Sequence, residues 1–202
     1  HVVTANKALL AMNGSELFKI AEDNNVLLLY EAAVAGGIPI IKSIKNSIYL
    51  NKINKVSGIL NGTTNYILTE MEKFNLDFHE VLKKAQSNGY AEADPINDIE
   101  GFDSAHKLTL LSTLCFGSKI NFKNNKFSGI NNIHIEDIHN AKKLGYRIKL
   151  ISESQIIEGK IMNVTEPRMI KFTNPLAKVD GVINAINVET DHLQSLFYEG
   201  EG

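Results

Sequence analysis

The sequence predicts an α/β chain in two unequal parts: the tail of a doubly wound α/β domain, then a larger mixed-sheet α+β domain. Three observations carry this expectation. The chain opens strand, helix, strand; its middle mixes helices with a strand; and from Tyr146 onward the pattern turns to strands. A βαβ opening belongs to a parallel sheet.

Each element follows from local pattern. Val2-Val3-Thr4 reads as the end of a buried strand. Lys7 to Asp23 is helical, with Leu9, Leu10, Leu17, Phe18 and Ile20 at spacings that share a face. Val26-Leu27-Leu28-Leu29-Tyr30 is a continuous apolar run, the mark of a strand buried on both faces. Glu31 to Pro39 is a small-residue loop, and a helix from Pro39 to Tyr49 follows with proline in its first turn. Ile53 to Leu60 alternates apolar and polar residues as a strand does. Asn61-Gly62 makes a turn, and Thr63 or Thr64 caps a helix from Asn65 to Phe74. Asp77 and Glu80 form a capping box for a helix to Ser87, closed by Asn88-Gly89. After an acidic loop, Tyr90 to Asp98, a helix starting at Asp98 or Glu100 runs to Phe116. Asn121 to Asn132 is a polar surface excursion, and Ile135 to Leu144 is a helix. The expected strands beyond it are Arg147 to Ile151, Gln155 to Val164, Val182 to Val188 and Leu193 to Tyr198.

Composition narrows the function classes. With 21 basic residues against 23 acidic ones, the chain lacks the basic field that nucleic-acid binding requires. No apolar run reaches the ~20 residues of a membrane span, so no membrane partner is expected. The single cysteine, Cys115, can form no internal disulfide, and a reduced, cytoplasmic setting is expected. The chain begins at His1 and stops just after an apolar strand; both ends read as cuts through structure.

The densest polar cluster runs from Gly89 to Lys107 and carries Glu92, Asp94, Asp98, Glu100 and Asp103. Asp103 and Lys107 are four apart on an expected helix and share a face. A lysine at the mouth of an apolar helix beside an aspartate suits a proton donor or an oxyanion stabiliser. From the pair alone, a solvated surface ion pair is the favoured reading. Lys7 follows a strand end, where open α/β sheets bind ligands, and a helix N-terminal turn with Thr4 or Asn6 as its cap explains it equally well. The loop Glu31 to Ile38 has backbone carbonyls to offer a monovalent cation, though a tight turn is the favoured reading. His79, His106, His134 and His139 lack metal-like spacing.

Taken together, four segments closely resemble homoserine dehydrogenase in order and spacing. They are Val2 to Leu9, Glu31 to Ile40, Gly58 to Leu68 and the stretch Gly89 to Leu108; Asn174-Pro175-Leu176-Ala177 and Gly181 to Ala185 add to it. The run Asn61 to Tyr66 is similar to the single-function enzymes of that family. The resemblance implies a Rossmann-type nucleotide domain and an enzyme that reduces aspartate 4-semialdehyde to homoserine with NADH or NADPH. That reaction lies on the route to threonine and methionine. It also implies a catalytic and dimerisation domain over 37–198, with 1–36 the end of the nucleotide domain and 199–202 the start of a return to it. Lys107 is then the acid/base at the substrate oxygen. Glu92 and Asp103, with Asp98, hold the substrate. Lys7, Thr4, Gly89 and Glu92 lie toward the cofactor, Lys7 also near the reacting centre. The loop of Glu31, Val34, Gly36 and Ile38 binds Na+ or K+. The implied partners are a small-molecule substrate and a second copy in a homodimer. The glycine-rich phosphate loop would precede His1, so the chain alone is expected not to catalyse. Two other readings are a non-catalytic dimerisation or binding module of the same fold, which predicts loss of Lys107 or the acids, and a related amino-acid dehydrogenase.

Overall fold

The computed structural model describes residues 1–48 and 51–202. A short parallel pair, β1 (Val2–Val3) and β2 (Leu28–Leu29), is joined by α1 (Lys7–Asp23). This is the expected βαβ unit, capped by Asn6, whose side chain accepts from the Leu9 amide at 3.0 Å. The strands are not buried on both faces: Val3 is 80% exposed and Leu27 55%, because no described residue covers them. On α1 only Leu10, Ala11 and Gly14 are buried, with Leu17 and Phe18 packed alongside, while Leu9 and Ile20 face outward.

After the loop, α2 (Ile40–Ser43) is a single turn that widens into a π-helical turn over Ile44–Ile48. The expected continuation to Tyr49 lies outside the described residues. Strand β3 (Ile53–Ile59) leads into α3 (Gly62–Phe74). Its cap is Asn61 rather than either threonine: the Asn61 side chain accepts from the Thr64 amide at 2.8 Å. Asp77 does precede α4 (Phe78–Ser87), but its side chain makes no capping bond, so the expected capping box does not form. The acidic segment folds into a one-turn helix α5 (Ile96–Ile99), and Gly101 in the left-handed region (φ 86°) separates it from α6 (Phe102–Phe116). The single helix expected from Asp98 is therefore two.

The remaining chain builds the sheet: β4 (Lys126–Phe127), α7 (Ile135–Lys143), β5 (Tyr146–Ile157), β6 (Lys160–Lys171), β7 (Ile183–Thr190) and β8 (Ser195–Glu201). The strand order is β4-β6-β5-β3-β7-β8, antiparallel except for the β4–β6 pair. The expected strand Gln155 to Val164 spans a hairpin. Glu158 and Gly159 both take positive φ, 49° and 74°, the geometry a two-residue turn between twisted strands requires. Apolar pairs on both sides of the turn, Ile156-Ile157 and Ile161-Met162, read as one strand and hide it. The segment read as a surface excursion pairs with β6 through β4 and buries Ile130 completely.

Side-chain alternation puts Val56, Ile148, Leu150, Ile186 and Val188 on one sheet face. There α6 contributes Leu108 and Leu111, α3 contributes Ile67 and Met71, and α7 contributes Ile138. The opposite face buries Ile59, Ile151 and Ala185 under Leu176 and Val179. Thus α6 lies across the centre of the sheet, with its N-terminus toward the C-terminal end of β3 and the start of α1. Among the described residues, no helix is long and apolar enough to cross a membrane.

Candidate functional site

The first turn of α6 places Asp103 inward, 6% exposed, and Lys107 one turn later on the same face. The Lys107 Nζ lies 2.8 Å from Asp103 Oδ2 and donates to the Leu60 carbonyl at 2.7 Å. Both side chains are nearly enclosed, 14% and 7% exposed, so the reading of a solvated surface pair is overturned. Leu60 ends the β3 segment in the middle of the sheet, which makes its carbonyl a rigid acceptor. From the opposite side, Lys7 at the start of α1 reaches Asp103 Oδ1 at 3.0 Å. One carboxylate thus joins two ammonium groups from elements that the sequence separates by almost a hundred residues.

Asn61 completes the cluster. Its Nδ2 donates to Asp98 Oδ1 at 2.7 Å and to Asp103 Oδ2 at 2.9 Å. Thr63 Oγ1 donates to the Tyr90 carbonyl at 2.7 Å and fixes the loop that carries Gly89. The sequence marked Asn61 only as a turn residue. Its cap role has a local signal, but its bonds to carboxylates 37 and 42 positions downstream have none.

Charge follows this geometry. Burial works to raise the pKa of Asp103, but the Lys107 charge, the Asn61 hydrogen bond and Lys7 outweigh it and hold the carboxyl below its ordinary value. Asp98 goes the other way: burial raises it, the Asn61 bond offsets part, and the Asp103 charge adds to the rise. His106, stacked on Phe122 with ring centroids 4.5 Å apart, is pushed down mainly by burial. Cys115 is half-buried at the edge of the core, and burial pushes its thiol up to about 12.

These groups border a cavity of about 680 Å³, walled on one side by Ala5, Ala32, Ala33 and Gly36 and on the other by Thr63, Gly89 and Asn184. Lys7, Asp98, Asp103 and Lys107 all line it. A second cavity of about 380 Å³ shares Lys7, Asp98 and Asp103 and adds Glu92 and His106. Glu92 therefore stands beside the carboxylate pair but not in the Lys107 cavity. Thr4 lines neither; its hydroxyl accepts from the Asn6 amide at 3.1 Å. Gly89 takes φ 76°, and a methyl there would meet nothing within 4 Å, so the space beside it is open. Asn184 is fully buried at the cavity edge, and its carboxamide has no hydrogen-bond partner among the described residues.

In the Glu31 loop the two Glu31 carboxylate oxygens accept from the Ile41 and Lys42 amides at 2.9 and 3.0 Å, capping α2. Among the described residues the Val34 and Gly36 carbonyls accept no backbone hydrogen bond, whereas the Ile38 carbonyl accepts from Ile40 at 2.7 Å.

Comparison with known proteins adds a family. The homoserine dehydrogenase family model matches residues 39–202. A homoserine dehydrogenase of Neisseria gonorrhoeae is 47% identical over 202 residues, covering 100% of this chain and 46% of that protein. One from Methanocaldococcus jannaschii is 43% identical across 100% of the chain and 59% of its own length. A crystal structure of a homoserine dehydrogenase from Thiobacillus denitrificans superposes with a TM-score of 0.99 at 46% identity, covering 100% of this chain and 47% of that one. The chain spans about half the length of the curated relatives it matches.

Proposed function

The chain belongs to the homoserine dehydrogenase family, and from that premise we propose that the full-length protein reduces L-aspartate 4-semialdehyde to L-homoserine with NAD(P)H, supplying threonine and methionine synthesis. The observation that carries this reading is the Lys107 ammonium, fixed by Leu60 and Asp103 at the edge of a cavity. An ammonium has three donors. Two are spent on those oxygens, which leaves one for a substrate atom in the cavity. As the aldehyde carbon is reduced, negative charge builds on its oxygen. Lys107 stabilises that charge and delivers the proton. Asp103 and the Leu60 carbonyl keep the ammonium aimed. The substrate is zwitterionic, and Asp98, Asp103 and Glu92 supply carboxylates for its ammonium. Lys7, shared by both cavities, lies between the reacting centre and the cofactor side.

The small side chains of Ala5, Ala32 and Ala33, the open space at Gly89 and the unpartnered Asn184 carboxamide fit a flat, polar-edged ring such as nicotinamide. When bound, that ring supplies the hydride. Thr4 lies at the same strand end and belongs to this side through backbone rather than side chain. The free Val34 and Gly36 carbonyls, with Glu31 and Ile38, suit Na+ or K+, which would brace the Ala32–Gly36 wall. The sheet, with Ile156 and Ile157 exposed, is the proposed homodimer surface; a full-length protein that sediments as a monomer at micromolar concentration removes that part. The central test is oxidation of NADPH or NADH by the full-length protein with aspartate semialdehyde. No turnover with either cofactor overturns the reading.

A further inference from the structure

We propose that Asn61 is a positioning residue whose carboxamide holds Asp98 and Asp103 side by side as a paired carboxylate wall facing the substrate cavity. The inference rests on the function proposed above and names a residue that acts through the groups touching substrate.

The orientation of the carboxamide is set by its oxygen. Asn61 Oδ1 accepts from the Thr64 amide at 2.8 Å as the cap of α3. The nitrogen is thereby turned toward α5 and α6, and both of its hydrogens are used, on Asp98 at 2.7 Å and Asp103 at 2.9 Å. The side chain is 5% exposed, so water cannot readily replace it. Two carboxylates brought together repel one another unless donors lie between them. Lys107 and Lys7 serve Asp103, but neither bonds Asp98. Asn61 is the neutral donor that the two acids share among the described residues. Every element around Asp98 contributes a charge or a dipole. These are Asp103, His106 and Lys107 from α6, Asn61 and Thr63 from the start of α3, Lys7 from α1, and Glu92 and Asp94 from the preceding loop. The Asn61 bond acts against the burial and the Asp103 charge that both favour a protonated Asp98. Without this donor Asp98 takes up a proton more readily, and a protonated Asp98 no longer attracts a substrate ammonium.

A role confined to capping predicts something different. Aspartate caps a helix about as well as asparagine, so Asn61→Asp would then be nearly silent. If the nitrogen holds the acids, Asn61→Asp keeps the cap and sets a third carboxylate against two others. In the full-length protein the acid limb of kcat/KM should then move up by about one pH unit or more. The cluster must bind an extra proton in the folded state. The loss of Tm relative to wild type should therefore be small near pH 4, grow as pH rises, and level off above the raised pKa. Asn61→Ser, which also caps but cannot reach both acids, should lower kcat/KM at pH 7 by tenfold or more, in the order of a lost charge-assisted bond, with its acid limb shifted the same way. An Asn61→Asp protein with the wild-type pH profile and a pH-independent Tm difference overturns the proposal. If Asn61→Asp does not fold, Asn61→Ser decides by its pH profile. If the wild-type protein reduces no semialdehyde, the proposed function fails, while the Tm–pH comparison still decides the role of Asn61.

Discussion

Lys107 and Asp103 meet at 2.8 Å across one turn of α6, and the same ammonium donates to the Leu60 carbonyl at 2.7 Å. The lysine is thus held by one partner on its own helix and one at the centre of the sheet. Its remaining donor has little freedom. Lys107→Ala in the full-length protein should lower kcat by roughly 10²–10⁴-fold, the usual worth of a positioned general acid. KM should change far less, because the lost interaction is with charge that exists only in the transition state. Lys107→Arg should not restore turnover, since guanidinium is a poor proton donor at neutral pH and its fork does not fit a site built for a point charge. A kcat within a few-fold of wild type in the alanine variant would sink the assignment.

Asp103→Asn tests the other half of the pair. It leaves two ammonium groups, one of them nearly buried, facing a neutral amide. Breaking a buried pair from one side typically costs about 3–5 kcal/mol, so a drop in Tm of many degrees is expected together with lost activity. The pH dependence gives a sharper check. The folded pKa of Asp103 lies below its ordinary 3.8, so its contribution is complete above that value and is lost as pH falls through the folded pKa. The Tm gap between wild type and Asp103→Asn should shrink below about pH 4. A gap that holds constant down to pH 2 would show that Asp103 does not stabilise the fold as an anion.

What the sequence could and could not reveal follows from the range of each interaction. The Asp103–Lys107 spacing, the βαβ opening and the strand-rich tail are local patterns, and the structure contains all three. The depth of the pair was not local: α6 brings it under α1 and the end of β3, and nothing in four residues of spacing shows that. The Asn61 bonds join the start of α3 to α5 and to the start of α6, far apart in the chain, so only a turn was legible at Asn61, and the cap was expected from Thr63 or Thr64 instead. The hairpin at Glu158-Gly159 was missed because glutamate is an unusual first turn residue and the apolar pairs flanking it, Ile156-Ile157 and Ile161-Met162, read as one strand. The exposed β1 and β2 show the reverse effect: a buried-strand pattern is present, but no described residue of the chain covers it.

Gly129 tests whether the placement of Asp98 depends on packing behind it. A methyl at this position would lie 1.8 Å from the Ile99 carbonyl and 2.4 Å from Glu100 Cα, both backbone atoms that cannot move aside cheaply. The segment after β4 also donates from the Ile130 amide to the Ile99 carbonyl at 2.8 Å. Gly129→Ala must therefore push the end of α5 away from the segment after β4 and shift Asp98 with it. We expect destabilisation in the range of about 1–3 kcal/mol or more, as for overpacked cores, and a rise in substrate KM larger than the change in cofactor affinity. Wild-type stability in a chemical denaturation series would contradict the contact.

Lys149 offers a test remote from the cavity. It lies in β5, 1% exposed, and its ammonium reaches Asn65 Oδ1 at 2.8 Å, the Val179 carbonyl at 2.6 Å and Asp180 Oδ1 at 3.3 Å. Asn65 in turn donates to Val179 and Ile183, so the lysine ties α3 to the chain entering β7. Burial, with the nearby Arg147 charge, pulls its pKa down to about 8, against an ordinary 10.5; Asp180 opposes this only in part. The sign is then fixed. Between those two values the unfolded chain holds more protons at this position than the folded one, so folding stability from this group rises with pH across the window. Lys149→Met keeps the volume and removes the titration. The difference in unfolding free energy between wild type and Lys149→Met, measured by denaturant titration at pH 7.5, 9 and 10.5, should therefore move in favour of wild type as pH rises. At neutral pH the variant should still be the less stable of the two, because Asn65 Oδ1 loses its donor inside the core and the Val179 carbonyl keeps only the one from Asn65. A difference that is flat across the series would mean that the ammonium is as easily protonated in the fold as in water, and the three-way clamp would then have to be far more open than its distances show.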